Sequence, residues 1–303
     1  MNFLERAHDG QNQFWKYLIV VVVGFFGGQI VGSIPLAVVI LSNIVQSGEI
    51  PAEITMDFTT LGISKNVGFV LIMLPFVASF FLTVLLVKLL HRRSFSEVVN
   101  GTRRFRIRHG LEGLVVWFAV LGLYQIFDYL IDGGNYTLQF DAAKFGILLL
   151  VSVIFIPFQS GYEEYLMRGY LAQGIVAATK SRWLAILIPG ILFGLLHLAN
   201  PEVKEFGFLP AMSQYIFFGL IFGIVSVLDD GIELAMGMHV ANNILLSLFV
   251  THEASALQTD SMFRVHEVNP YRELTGLVVV GMLVVLFFAR RYGWDFRILG
   301  RKV

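Results

Sequence analysis

The chain has 303 residues, 56% of them hydrophobic and only 15% charged, with a mean hydropathy of +0.72 and a formal net charge of zero. Soluble domains carry about 25% charged residues, so the composition excludes an ordinary soluble fold, and the neutral balance gives no basis for a nucleic-acid partner. With no cysteine, disulfides, thiolate metal sites and a cysteine nucleophile are excluded as well.

A spanning helix needs about 20 mostly apolar residues. The polar opening Met1–Gln13 shows no cleavable-signal pattern. Eight apolar runs follow it: Phe14–Val45, Val67–Leu90, Leu111–Ile131, Ala142–Gln159, Trp183–Ala199, Pro210–Leu228, Ile232–Val250 and Leu274–Ala289. They predict an all-α membrane protein, a polytopic bundle of about eight transmembrane helices forming one domain over 1–303. The first run is overlong and holds Gly24, Gly28, Gly32 and Pro35, which predicts a kink or a tilt. Glycines four apart recur as Gly190/Gly194 and Gly219/Gly223, a spacing that lets helix backbones approach closely. The polar stretch His91–Gly110 carries Arg103, Arg104, Arg106 and Arg108 and reads as a topology anchor near anionic headgroups. With the N-terminus placed in the cytoplasm, seventeen Lys and Arg fall on that side and five on the other: Lys65, Lys144, Lys204, Arg264 and Arg272. Basic residues concentrate on the cytoplasmic side. The expected location is therefore multi-pass in the inner (plasma) membrane, with both termini cytoplasmic.

Ionisable side chains inside membrane segments are costly and mark functional sites. Three clusters stand out. Glu163-Glu164-Tyr165-Leu166-Met167-Arg168 follows the fourth run. On a helix Glu164 and Arg168 share a face, while Glu163 points about 100° away. One carboxylate can pair with Arg168 and the other stay free as a general base. A solvated ion pair at a helix start is the plainer account. Phe193-Gly194-Leu195-Leu196-His197 lies in the fifth run and His239-Val240-Ala241-Asn242-Asn243 in the seventh, with His239 and Asn243 four apart. Each alone reads as packing or as interhelical hydrogen bonding. Together the three faces predict one water-containing intramembrane cavity. That inventory suits amide hydrolysis, with a carboxylate activating water and a histidine and Asn243 stabilising the oxyanion. Two imidazoles and a carboxylate holding a divalent metal are the alternative. Neither an H-E-x-x-H zinc site nor a G-x-S-x-G elbow occurs.

The ordered trio EEYLMR, FGLLH and HVANN resembles the CPBP family, which includes the type II CAAX prenyl endopeptidases and the Abi, or bacteriocin-immunity, proteins. The resemblance covers about residues 150–250, the expected catalytic core. It implies a helical bundle with a conical cavity open to the cytosol and an intramembrane endopeptidase acting on a peptide or membrane-protein substrate in the bilayer. Carried over by motif, Glu163 is the base, supported by Glu164 and Arg168. His197 orients the water, and His239 with Asn243 forms the oxyanion site. A metal-independent glutamate mechanism is the expectation; a divalent ion such as zinc on Glu163, His197 and His239 is the variant. Two other readings of the same residues stay open: a proton- or cation-coupled transporter, and a catalytically silent scaffold of the family. Helix counting at about 1.5 Å per residue puts His197 deep in its run and Glu163 at the near end of its own. The two meet only if a helix starts deep, tilts or kinks at Pro157.

Overall fold

The computed structural model describes residues 3–48, 58–102 and 104–303. Helix α1 (Phe14–Ser47) is continuous, with π-type turns over Val20–Gly27. It lies along α2 (Lys65–His91) because Gly24, Gly28 and Gly32 bring its backbone onto Thr83, Ser79 and Pro75. A short α3 (Phe95–Val99) opens on a capping box made by Ser94 and Glu97, which satisfies two orphan amides of its first turn. Helix α4 (Ile107–Ile131) buries only Gly113, Trp117 and Leu121. These lie four apart on one narrow stripe, which packs against α9 (below) while the rest of α4 presents apolar side chains outward, as the bilayer allows.

The fourth run does not stop at Gln159. Helix α5 (Ala142–Thr179) starts at an Asp141 cap, passes through Pro157 and a π-helical segment (Tyr165–Leu171), and ends at a left-handed Lys180. Glu163 and Glu164 therefore sit inside a long helix and not at its mouth. Helix α6 (Arg182–Leu195) is the opposite case. It has 14 residues, about 21 Å at 1.5 Å per residue, too short for a hydrocarbon core of about 30 Å. His197, expected inside a span, sits in the turn just beyond it. Helices α7 (Pro201–Phe206), α8 (Phe208–Leu228), α9 (Glu233–Phe249) and α10 (Pro270–Tyr292) complete the bundle. Among the described residues six helices, α1, α2, α4, α5, α8 and α10, are long and apolar enough to cross a membrane. With the shorter α6 and α9 they occupy the eight runs read from the sequence. Helix α6 lies on α8 through glycine pairs, Gly190 facing Gly219 and Gly223 facing Ile186.

The two faces differ. One carries both termini: Phe3 N–H donates to Asp230 at 2.5 Å and Val303 N–H to the Lys180 carbonyl at 3.0 Å. Arg106 is not a headgroup contact but the centre of a protein network there, 2.5 Å from Glu233 and 3.0 Å from Asp229; burial raises the Asp229 carboxyl above its usual range despite Arg106 and His109. Arg103 lies outside the described residues. The other face carries α7 and a small sheet that the sequence reading lacked, β1 (Tyr136–Leu138), β2 (Val250–Thr251) and β3 (Phe263–Val265) in the order β1-β3-β2.

Candidate active site

Two helices meet rung on rung. On α9, His239 and Asn243 share a face. On α5, Gln159 and Ser160 lie one turn before Glu163 and Glu164. Asn243 Nδ2 donates to Gln159 Oε1 at 2.8 Å and to Ser160 Oγ at 3.2 Å. One turn away, His239 Nδ1 stands 2.8 Å from Glu164 Oε1, and its Nε2 stands 3.5 Å from Glu163 Oε2.

The two carboxylates occupy different surroundings. Glu164 is fully buried and its Oε1 also accepts from Arg168 Nη1 at 3.0 Å. Arg168, itself buried, donates its remaining amine to the carbonyls of Phe218 and Gly219 and lies 4.4 Å from the Phe193 ring centre. A carboxylate facing a guanidinium only accepts, so the His239 proton on this side resides on Nδ1. Glu163 instead lines a cavity of about 610 Å³, and its Oε2 has no hydrogen bond among the described residues.

His197 lines the same cavity. Its Nδ1–H donates to the Phe193 carbonyl at 2.7 Å, and the ring stacks on Tyr215 at 4.3 Å. Because a carbonyl can only accept, Nε2 of neutral His197 keeps its lone pair. Phe193 ties the two imidazoles together, with its centre 4.6 Å from His197 and 5.9 Å from His239. The depth mismatch found by helix counting is resolved by the early end of α6, whose polar turn lines a cavity, the one setting in which irregular backbone is tolerated at membrane depth. All six residues picked from the sequence thus come together around α5 and α9.

The family model for Rce1-like proteins, described as type II CAAX prenyl endopeptidase Rce1-like, matches residues 143–245. The chain is also 30% identical over 290 residues to the uncharacterized protein YyaK of Bacillus subtilis (strain 168), covering 93% of this chain and 94% of that protein. The chain belongs to the Rce1-like, or CPBP, family. No solved structure matches it. Membership of the CPBP family implies intramembrane protease chemistry, and the matched segment contains all three motifs.

Three residues of this CPBP chain escaped the sequence reading. Trp117 Nε1–H donates to Asn242 Oδ1 at 3.3 Å, and Asn242 Nδ2 donates to Asn243 Oδ1 at 3.1 Å. Asn243 then spends both amide protons on Gln159 and Ser160, and Ser160 Oγ–H donates to Gln159 Oε1 at 3.0 Å. One indole N–H therefore orients three carboxamides in series. Gln159 lines the cavity, and among the described residues nothing accepts from its Nε2. The position of Gln159, one turn before Glu163, was the available signal. The metal variant fares differently. Among the described residues no group of three His, Asp or Glu side chains is disposed to hold a metal ion. Glu163, His197 and His239 do not fit as a metal centre in this arrangement. The cavity's walls include Phe25, Gln29 and Phe76 of α1 and α2 as well as Ala256, Val268 and Asn269 near the sheet.

Proposed function

We propose that the chain is an intramembrane endopeptidase in which Glu163 activates water. The observation that carries this reading is the split between adjacent carboxylates: Glu164 is fully buried and held by Arg168 and His239, whereas Glu163 is the one of the two that lines the cavity. Water held between Glu163 and His197 gives a proton to Glu163 as its oxygen bonds the scissile carbonyl carbon. The carbonyl π electrons move to oxygen. Gln159 Nε2–H and a protonated His239 Nε2–H are the groups available to that oxyanion. Collapse expels the amine, which takes its proton from Glu163. Asn243 has its protons engaged with Gln159 and Ser160. It serves by fixing Gln159, a change from the direct oxyanion role that the family resemblance implied. His197 orients the water through Nε2.

The test is turnover of a fluorogenic peptide library by purified protein and by Glu163→Gln. Loss of a general base lowers the rate about 10²–10⁴-fold, with thermal stability unchanged because that oxygen makes no hydrogen bond. Equal turnover by both proteins refutes the assignment. Glu163-dependent proton flux in liposomes without turnover would replace it by transport.

A further inference from the structure

The imidazole of His197 needs a restraint that its own segment does not supply. His197 stands in the turn after α6, where successive N–H groups reach back three residues: His197 to the Gly194 carbonyl at 2.9 Å, Leu198 to Leu195 at 3.2 Å and Asn200 to His197 at 3.0 Å. The last torsion of a histidine side chain is broad and twofold, so this turn fixes where the ring begins and not where Nε2 points. The bond from Nδ1–H to the Phe193 carbonyl ties one edge of the ring, and it ties it to the ring's own segment.

A neighbouring helix provides the rest. At this level α6 approaches α8 so closely that a Cβ on Gly194 would lie 2.5 Å from Ile216 Cγ1. The residue before Ile216 is Tyr215, and its ring stacks on the imidazole with centres 4.3 Å apart and planes 23° from parallel. Tyr215 is itself held. Asn200 Nδ2 donates to its hydroxyl at 2.9 Å, and the Asn200 N–H is the group that donates to the His197 carbonyl. His197, Tyr215 and Asn200 therefore close a circuit in which each member fixes the next, and all three line the cavity with Glu163. Independently of Tyr215, Glu202 of α7 accepts from the Ala256 N–H at 2.7 Å and fastens the far end of the turn to the segment after β2.

We propose that Tyr215 is a positioning residue: its ring face and its anchored hydroxyl hold His197 with Nε2 turned into the cavity beside Glu163. The consequence for hydrolysis rests on the peptidase reading above; the restraint on the imidazole does not. Misplacing a group that orients the attacking water by about 1 Å costs on the order of 100-fold in rate.

Three variants separate the parts. Tyr215→Phe keeps the stacking face and loses the hydroxyl, Tyr215→Leu loses the face, and His197→Gln removes the group that Tyr215 holds. In detergent, with a fluorogenic peptide cleaved by the parent, Tyr215→Leu is expected to lower kcat about 10–100-fold with KM unchanged, while Tyr215→Phe keeps most of the parent rate. In the His197→Gln background, adding Tyr215→Leu lowers kcat no further, because residues acting through one another are not additive. An equal loss in both backgrounds, an unchanged kcat in Tyr215→Leu, or a raised KM alone overturns the proposal; the last would make Tyr215 a substrate contact. Nitrogen NMR of protein labelled in histidine gives a readout free of turnover, with the His197 signals identified by their absence from His197→Gln. One Nδ1–H tautomer is expected in the parent and in Tyr215→Phe, and exchange between the two ring nitrogens in Tyr215→Leu. Signals unaltered in Tyr215→Leu overturn the proposal. A parent that turns over no peptide counts against the peptidase reading, while the spectra still decide whether Tyr215 holds His197.

Discussion

Replacing Arg168 by methionine isolates the charge that holds the site together. Arg168 and Glu164 lie 3.0 Å apart with side-chain exposures of 1% and 0%. At an effective dielectric of about 20, two unit charges at that distance attract by roughly 5–6 kcal/mol. Removing one partner of a buried pair destabilises by about 3–5 kcal/mol, because the other charge is left uncompensated. Arg168→Met leaves the Glu164 carboxylate with only His239 as a donor, and it removes the second donor to the helical carbonyls of Phe218 and Gly219. The double variant Glu164→Gln/Arg168→Met removes both charges and still offers His239 an amide oxygen. What remains lost is two carbonyl hydrogen bonds, about 1 kcal/mol each. The single variant is therefore expected to unfold roughly 6–20 °C below the parent, and the double variant to recover about half of that loss. Thermal unfolding followed by tryptophan fluorescence in detergent measures both. A double variant no more stable than Arg168→Met, or an Arg168→Met protein as stable as the parent, refutes the argument that a desolvated ion pair positions this segment.

Gln159→Glu keeps an acceptor for Asn243 and Ser160 but replaces the amide donor one turn from Glu163 by a carboxylate oxygen; kcat is expected to fall about 100-fold or more with KM little changed, and an unaltered kcat removes Gln159 from the oxyanion site. At the face of the termini, burial raises the Asp229 carboxyl, so the folded state holds that proton more tightly than the unfolded chain. Its contribution to stability is present below the unfolded value of about 3.9 and is lost as pH rises through the higher folded value. The stability of the parent relative to Asp229→Asn is expected to improve on acidification through that window, read from unfolding temperatures of both proteins across pH; a difference that does not vary with pH sinks this account.

The spans were legible because apolar runs in this chain have no competing pattern: α1, α2, α4, α8, α9 and α10 fall where hydropathy puts them. The misplaced ends share one cause. Hydropathy follows the solvent, and where protein replaces lipid the signal fails. Helix α5 continues for 20 residues past Gln159 because Arg168, Tyr170 and Gln173 find hydrogen-bond partners inside the bundle and Tyr165 stacks on Phe95. Helix α6 ends at a turn that lines the cavity with Leu196 and His197. The six site residues were legible as polar groups in apolar surroundings. Trp117 and Gln159 were not, since an indole or a carboxamide near a span end is ordinary, and only the hydrogen-bond chain through Asn242 and Asn243 gives them a role. The sheet had no sequence signal beyond three-residue runs, and its pairing joins strands more than a hundred residues apart.

Two neighbouring glutamates take different parts because of helix geometry. Successive residues point about 100° apart, so a single helix presents Glu164 to the protein interior and Glu163 to the cavity without any bend. The interior face supplies Arg168 one turn on, and α9 supplies His239, whose two ring nitrogens reach one carboxylate each. Glu164 fixes Nδ1 as the protonated nitrogen and so leaves Nε2 as the exchangeable position toward Glu163. Any proton between His239 and Glu163 is consequently shared across 3.5 Å, longer than a settled N–H···O bond of about 2.9 Å. A separation of that size holds the imidazole beside the carboxylate without a settled bond and leaves no room for a water between the two atoms. The buried ion pair thus anchors one face of α5 to α8 through the Phe218 and Gly219 carbonyls, while Glu163 lines the cavity.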